Sequence, residues 1–184
     1  MRLASAPRLK RGMRVLVIGD SLAVGMGPHF QALGKEAGVE VKVLAKVGTR
    51  IDQWAGSAVL QQTLDSFQPD MVLVSLGTND EYLTGDAVAR QAPALEALLK
   101  KFESASITRH LRHGVEYIVW IGPPTLPRQT NGITAMIQDA AAGLTPRFHY
   151  FHSEKLDIPR GPDKLHPTAR GYAGWAGAVW HWLS

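Results

Sequence analysis

The chain has 184 residues, of which 45% are hydrophobic and 20% are charged, values typical of one globular domain with a single core. The absence of cysteine excludes disulfides and a cysteine nucleophile, and no apolar run approaches the roughly 20 residues that a membrane-spanning helix needs. The net charge of +4 comes largely from the first residues, so we expect a flexible basic segment at residues 1–13 and a single domain at residues 14–184.

The first predicted element is a buried strand at residues 14–18, where four apolar residues follow Arg14. A strand that is apolar on both faces is typical of the centre of a parallel sheet covered by helices. Apolar residues then recur at helical spacing from Leu22 to Leu33. Residues 39–43 alternate valine with charged residues, which predicts a half-exposed strand at the edge of the sheet.

Three further apolar runs predict strands, at residues 71–76, 115–121 and 148–151. A helix with Pro93 near its start is predicted around residues 95–102. A closing helix follows Thr168, which is a suitable N-cap, and its apolar residues share one face.

Five strands that alternate with helices predict an α/β fold of the three-layer α/β/α sandwich type. With residues 39–43 at the edge, the five-stranded parallel sheet has the flavodoxin-like order 2-1-3-4-5. Ligands of such sheets bind beyond the carboxyl ends of the strands, near the point where the strand order reverses. The residues that follow each strand are therefore the first candidates for function.

Glycines and polar residues gather at this edge. Ser21 follows the first strand, Gly48 the second, Asn79 the third, and Asp163 and His166 the fifth. Each has an ordinary structural explanation, such as a helix cap for Ser21 or a turn for Gly48. Together they supply a nucleophile, an orienting carboxylate, a base and oxyanion donors, which favours hydrolytic chemistry.

The residues also suggest two other kinds of site, a metal site and an anion site. The pairs His110/His113 and His149/His152 have a spacing superficially suited to a metal, but neither comes with a third ligand in a recognised arrangement. The first strand–helix turn lacks the G-x-x-x-x-G-K-S/T and G-x-G-x-x-G patterns, although a helix N-terminus there could hold an anion. We therefore expect no metal and no cofactor.

At these positions the sequence resembles the SGNH hydrolases, also called the GDSL esterase/lipase family. Four blocks match in the family's order, namely Gly19-Asp20-Ser21-Leu22, Gly48, Gly77-Thr78-Asn79-Asp80 and Asp163-x-x-His166. The resemblance spans about residues 14–182. It implies an α/β/α sandwich and a serine hydrolase that acts on esters.

The resemblance also implies a role for each matching residue. Ser21 is then the nucleophile, His166 the general base and Asp163 the carboxylate that orients the base. The implied oxyanion hole consists of the backbone N–H groups of Ser21 and Gly48 and the side-chain amide of Asn79.

The strand–helix turn differs from the G-x-S-x-G elbow of α/β-hydrolases, because Ala23 stands where the second glycine would be. Asp20 and Asp80 are expected to hold the loops that carry the site, since carboxylates readily accept backbone N–H bonds in turns.

We expect a serine esterase that removes short acyl groups, most simply acetyl, from a carbohydrate or another polar ester through an acyl-enzyme. Trp54 and Tyr82 lie near the predicted edge and are candidates for contacting the substrate, whereas Trp120 lies within a strand and is expected in the core. The loop at residues 122–132 is expected to border the pocket. The alternatives are a thioesterase or lysophospholipase acting on longer acyl chains, an acyltransferase, and a non-catalytic carbohydrate-binding module on the same scaffold.

The expected partner is a small-molecule or glycan ester. Nucleic acid is not expected, because no aromatic residues interleave with the basic residues near the start of the chain. No signal peptide is visible, since no apolar region follows those basic residues, and a cytoplasmic location is expected if the chain is complete. The sequence predicts no oligomeric state.

Overall fold

The computed structural model describes residues 7–104, 115–126, 132–143 and 147–184. Its sheet has five parallel strands in the order β2-β1-β3-β4-β5, which confirms the predicted fold class and strand order. The strands are β1 (Arg14–Gly19), β2 (Glu40–Ala45), β3 (Met71–Ser75), β4 (Tyr117–Ile121) and β5 (Phe148–Phe151).

Helices cover both faces of the sheet. Those in the described residues are α1 (Ser21–Ala37), α2 (Ile51–Ala55), α3 (Ala58–Phe67), α4 (Asp86–Ala89), α5 (Gln91–Ser104), α6 (Ile133–Gly143) and α7 (Ala169–Leu183). α1 and α7 pack on one face, and α2, α3, α5 and α6 pack on the other. Short 3-10 turns follow β3 (Asp80–Tyr82) and β5 (Ser153–Lys155). Within the described ranges, no helix combines the length and the hydropathy that crossing a membrane requires.

Alternate residues of the central strands face opposite helical layers. In β1, Val15 and Val17 pack with α1 and α7, whereas Leu16 and Ile18 pack with the helices of the other face. All four side chains are fully buried. Burying such an aliphatic side chain stabilises a fold by about 1.5–3 kcal/mol. β1 is therefore apolar along its length because both of its faces are covered.

β2 lies at the edge of the sheet beside β1, as predicted from its alternating pattern. Its first residues alternate between exposed and half-buried. The observed strand begins slightly later than the predicted residues 39–43, because the Val39 amide donates to the Gly34 carbonyl at the end of α1. It also ends later, so the turn that follows β2 starts after Ala45.

Residues 7–13 contact the folded domain, and the flexibility expected for residues 1–13 stays a prediction. The Leu9 amide donates to the Leu183 carbonyl at 2.7 Å, and the side chains of Leu9 and Met13 pack against the α1–α7 layer. Apolar residues are interspersed among the basic ones here, and their burial holds the segment against the domain. The first six residues lie outside the described part of the chain.

Candidate active site

Ser21 lies where the chain passes directly from β1 into α1. Asp20 is the N-cap of α1, because its Oδ1 accepts a hydrogen bond from the Leu22 amide at 2.9 Å. A glycine precedes it because a Cβ at Gly19 would lie 2.2 Å from the Ser75 carbonyl oxygen. The capping role considered for Ser21 therefore belongs to Asp20, and the Ser21 hydroxyl is left for other contacts.

Ser21, His166 and Asp163 form a hydrogen-bonded row at the carboxyl edge of the sheet. Ser21 Oγ lies 2.9 Å from His166 Nε2, and His166 Nδ1 lies 2.7 Å from Asp163 Oδ2. An ionised carboxylate can only accept hydrogen bonds, so the imidazole proton belongs on Nδ1 and Nε2 is left to accept from the serine hydroxyl. This arrangement can activate the hydroxyl as a nucleophile.

Asp163 is held as an anion by three hydrogen bonds. Besides the His166 ring, its Oδ1 accepts from the backbone amides of Leu165 at 3.0 Å and His166 at 2.9 Å. The hydrogen bonds from the His166 side chain and from these two amides lower the pKa of Asp163 to about 2. The group that faces the imidazole is therefore charged across the physiological pH range.

The loop that carries Asp163 and His166 is closed on itself by backbone hydrogen bonds. The Gly161 amide donates to the His166 carbonyl at 2.7 Å. The Arg160 guanidinium donates to the carbonyls of Leu165 and, at 3.0 Å, Thr125, which ties the loop to the segment after β4. Arg160 lies outside the four matching sequence blocks, so no role was predicted for it.

Thr168 caps the helix that follows this loop. Its Oγ1 accepts from the Gly171 amide at 3.1 Å, which confirms the predicted N-cap. The Thr168 amide in turn donates to the Pro159 carbonyl at 2.9 Å. The loop is therefore anchored at its end to the rigid start of α7.

Gly48 lies in the tight turn that follows β2. Its φ of 75° is in the left-handed region, which glycine adopts without strain, and a Cβ built there would meet nothing within 4 Å. Glycine is therefore favoured at this position by the backbone conformation and not by crowding. The turn is closed by the Thr49 amide, which donates to the Lys46 carbonyl at 3.4 Å.

Asn79 links the ends of three strands. It follows β3, and its side-chain Nδ2 donates to the Thr49 carbonyl at 2.9 Å and to Asp20 Oδ2 at 3.3 Å. The structure thus brings Asn79 beside both the Gly48 turn and the start of α1. Both amide hydrogens face protein acceptors here, so a substrate oxygen reaches this amide by sharing or exchanging one of these bonds.

Two carboxyl groups are buried behind the site. Asp80 Oδ1 accepts from the Ile51 amide at 3.1 Å, and both Asp20 and Asp80 are at most 1% exposed. Burial first, and then the negative charge of Asp80, raise the pKa of Asp20 to about 7. Burial and the charge of Asp52 raise the pKa of Asp80 to about 6. The predicted loop-holding role of these two residues is matched by hydrogen bonds to the starts of α1 and α2.

The three aromatic residues considered near the edge occupy different environments. Trp54 is only 6% exposed and its Nε1 donates to Thr49 Oγ1 at 2.9 Å, so most of its ring packs in the core, and its contact with the substrate stays a prediction. Tyr82 is half-buried in the turn after Asn79. Trp120 is fully buried, as expected, and donates to the Leu76 carbonyl at 2.9 Å.

A pocket of about 310 Å³ borders the turn after β2. Its lining combines apolar, hydroxyl, amide and ammonium groups, contributed by Leu44, Ala45, Lys46, Thr49, Gln53, Trp54, Ser57 and Val59. The loop at residues 122–132, which we expected to border the substrate pocket, lies partly outside the described residues.

The histidine pairs considered as metal ligands are also only partly described. His110 and His113 lie outside the described residues. His152 Nδ1 lies 2.6 Å from Glu154 Oε1. Across the described residues, no group of three or more histidine, aspartate or glutamate side chains is close enough together to hold a metal ion.

A parallel α/β/α sandwich with a serine–histidine–aspartate row at its carboxyl edge defines a serine hydrolase of the SGNH type. The sequence matches the GDSL-like Lipase/Acylhydrolase family over residues 17–173, and the chain belongs to this family. It is a serine ester hydrolase. A comparison with curated proteins found no match.

Solved structures of esterases share the fold. The acetylxylan esterase Axe2 from Geobacillus stearothermophilus has a TM-score of 0.67 at 16% identity, with 96% of each chain covered. The aryl esterase of M. smegmatis also has a TM-score of 0.67 at 16% identity, over 92% of this chain and 97% of that one. LAE5, an α/β hydrolase from the metagenome of Lake Arreo, has a TM-score of 0.62 at 16% identity and covers 96% of this chain.

Proposed function

We propose that this enzyme removes short acyl groups, most simply acetyl, from a carbohydrate or another polar ester. The observation that carries the chemistry is the unbroken row from Ser21 Oγ through His166 to Asp163, with separations of 2.9 and 2.7 Å. Ser21 is the nucleophile, His166 the general base, and Asp163 fixes the tautomer and orientation of the imidazole.

Axe2 supports these roles. Its solved structures include catalytic mutants of a serine, of an aspartate and of a histidine three residues after that aspartate. The same three residue types, with the same short spacing between the last two, occur here as Ser21, Asp163 and His166. The acetyl group is proposed because Axe2 is an acetylxylan esterase that aligns with nearly the whole chain.

The reaction takes two steps. Ser21 Oγ attacks the ester carbonyl while its proton passes to His166 Nε2, and the alcohol leaves with that proton as the acyl-enzyme forms. A water molecule then gives its proton to His166 and attacks the acyl carbon, and Ser21 recovers its proton as the acid is released. The backbone N–H groups of Ser21 and Gly48 and the Asn79 amide stabilise the negative charge on the carbonyl oxygen in both steps.

Hydrolysis of p-nitrophenyl esters of increasing acyl length tests this proposal. We expect the highest kcat/KM with the acetate, and a loss of at least about 10³-fold in kcat for Ser21→Ala. Ser66→Ala, which changes an exposed serine on α3, is the matched control and is expected to keep full activity. Acetylated xylo-oligosaccharides then test the carbohydrate part of the proposal.

Other outcomes point to the alternatives. A maximum at longer acyl chains would keep the mechanism and favour a thioesterase or lysophospholipase. Product formation on an added alcohol in place of water would favour an acyltransferase. Equal rates for the wild type and Ser21→Ala would show that Ser21 is not the nucleophile. This outcome would favour a non-catalytic binding module on this scaffold.

A further inference from the structure

Thr49 hydrogen-bonds to the Asn79 side chain and within the turn that carries Gly48, so it lies beside both proposed oxyanion donors outside α1. The Thr49 carbonyl accepts from Asn79 Nδ2 at 2.9 Å. The Thr49 hydroxyl donates to the Lys46 carbonyl at 2.7 Å, across the turn that has Gly48 in its middle. The backbone of Thr49 thus holds the Asn79 amide, and its side chain closes the Gly48 turn.

The orientation of the Thr49 hydroxyl is set by Trp54. An indole N–H can only donate, and Trp54 Nε1 lies 2.9 Å from Thr49 Oγ1, so the hydroxyl oxygen accepts this bond. The hydroxyl hydrogen is then left for the Lys46 carbonyl, with the Gly19 carbonyl at 3.3 Å as a second, longer contact. Trp54 is buried in the core, so this chain of bonds connects the turn to a fixed point.

Packing does little to hold the turn. Lys46 is exposed, Val47 is 66% exposed, and nothing lies within 4 Å of a Cβ built on Gly48. The pocket of about 310 Å³ lies against the same turn and is lined in part by Lys46 and Thr49. A turn with solvent and a pocket beside it keeps its shape mainly through its hydrogen bonds.

We propose that Thr49 is a positioning residue for the oxyanion hole. Its hydroxyl, oriented by Trp54, sets the direction of the Gly48 amide, and its carbonyl sets the position of the Asn79 amide. Thr49 acts through these two donors and makes no contact with the reacting atoms. This inference rests on the proposed function, because it assigns the donors to an ester-hydrolysing site.

Thr49→Val is the sharpest test, because it keeps the β-branched shape and removes only the hydroxyl. Removing an oxyanion donor outright costs about 10²–10³-fold in kcat, so misplacing donors that are still present is expected to cost about 10–100-fold. KM is expected to change by less than about threefold, since the donors act on the transition state. Thr49→Ser, which restores the hydroxyl, is expected to return kcat to within about threefold of the wild type.

Steady-state kinetics with p-nitrophenyl acetate measure these effects, with Thr63→Val as the matched control. Thr63 is a buried threonine of α3, so this control makes the same substitution away from the site. An effect carried by KM alone, or an equal loss in Thr49→Val and Thr63→Val, would overturn the proposal. Wild-type kcat in Thr49→Val would overturn it as well.

The other variants separate the possible failures. If Ser21→Ala keeps activity, the proposed function fails; if Ser21→Ala is inactive while Thr49→Val is fully active, only the present inference fails. If Thr49→Val does not fold by circular dichroism, Trp54→Phe takes its place, because it keeps Thr49 and removes the bond that orients its hydroxyl. This variant is expected to lower kcat about 3–10-fold, and unchanged kcat in it would refute the role of Thr49.

Discussion

Replacing Asp20 by asparagine tests whether a buried carboxyl group at the start of α1 makes folding stability depend on pH. The Asp20 carboxyl is 1% exposed, and burial, strengthened by the negative charge of Asp80, raises its pKa from 3.8 to about 7. The hydrogen bond from the Leu22 amide acts in the opposite direction without cancelling the rise. Asp20 is therefore protonated in the folded protein at pH values where it is ionised in the unfolded chain.

The sign and size of the effect follow from this shift in the pKa of Asp20. Below pH 3.8 the carboxyl is protonated in both states and adds no pH dependence. Between pH 3.8 and about 7 only the folded state binds the proton, so the free energy of unfolding falls by up to about 1.4 kcal/mol per pH unit as the pH rises. A rise of about 3 pKa units makes the whole loss about 4 kcal/mol, complete above pH 7.

Urea denaturation between pH 4 and 8 measures this slope. We expect Asp20→Asn to reduce it without abolishing it, because burial also raises the pKa of Asp80, to about 6, and Asp80 remains in the variant. Asp65→Asn, at an exposed site on α3, is the control and is expected to keep the wild-type slope. An unchanged slope in Asp20→Asn would refute the reasoning, because it would show that Asp20 is ionised in the folded state.

The same variant is expected to lose activity for a separate reason. In the wild type, Asp20 Oδ1 accepts a hydrogen bond from the Leu22 amide, and Asp20 Oδ2 accepts one from Asn79 Nδ2 at 3.3 Å. In Asp20→Asn the side-chain oxygen still serves the Leu22 amide, so the new NH2 group faces Asn79 Nδ2. Two donors then face each other and Asn79 moves, which is expected to lower kcat about tenfold. Wild-type kcat would show that Asn79 holds its position without Asp20.

Two further substitutions address the elements that position the site. Gly19→Ala places a Cβ 2.2 Å from the Ser75 carbonyl oxygen, so we expect the free energy of unfolding to fall by about 1–3 kcal/mol or more. The fall is measured as a lower Tm, and an unchanged Tm would contradict the close approach. Trp120→Phe removes the buried hydrogen bond to the Leu76 carbonyl, so we expect the free energy of unfolding, measured by urea denaturation, to fall by about 1–3 kcal/mol. KM is expected to stay unchanged, and a shifted KM would place Trp120 at the substrate.

The strand order was predictable because a central strand and an edge strand have different hydrophobic patterns. β1 is apolar on both faces since Val15 and Leu16 face different helical layers, whereas β2 alternates at its start because Glu40 and Lys42 are exposed. Once β2 lies at the edge, short right-handed connections leave few alternative orders. The residues that follow the strands then meet at one edge, which is why Ser21 and His166 could be paired across 145 residues.

The segment between β2 and β3 was less predictable, for two different reasons. α2 has only five residues, and although the Arg50 amide donates locally to Gln53 Oε1, the amide of its first residue, Ile51, is bound by Asp80 from 29 residues further along the chain. α3 does carry a local signal, since Ser57 caps it by accepting from the Leu60 amide at 3.1 Å, but no helix was predicted there.

The inward orientation of the Trp54 Nε1 group and the omission of Thr49 from the predicted site have a common physical cause. Position near a strand end indicates that a residue belongs to the edge of the sheet, but it does not indicate whether the side chain faces the substrate or the core. Here the indole turns inward and donates to Thr49 Oγ1, and this contact appears only when α2 is packed. Sequence blocks therefore identify the candidate reacting groups, whereas the contacts that hold these groups depend on side-chain hydrogen bonds between elements.

The buried carboxyl groups of Asp20 and Asp80 show how residues that hold the site lower the free energy of unfolding. Asp20 and Asp80 have raised pKa values, so their ionised forms destabilise the folded state. The same two groups accept the amides that begin α1 and α2, and Asp20 also accepts from Asn79. Apolar replacements would remove the electrostatic cost and leave those buried donors without partners. These two carboxyl groups thus lower folding stability while they hold the starts of α1 and α2 and the side chain of Asn79.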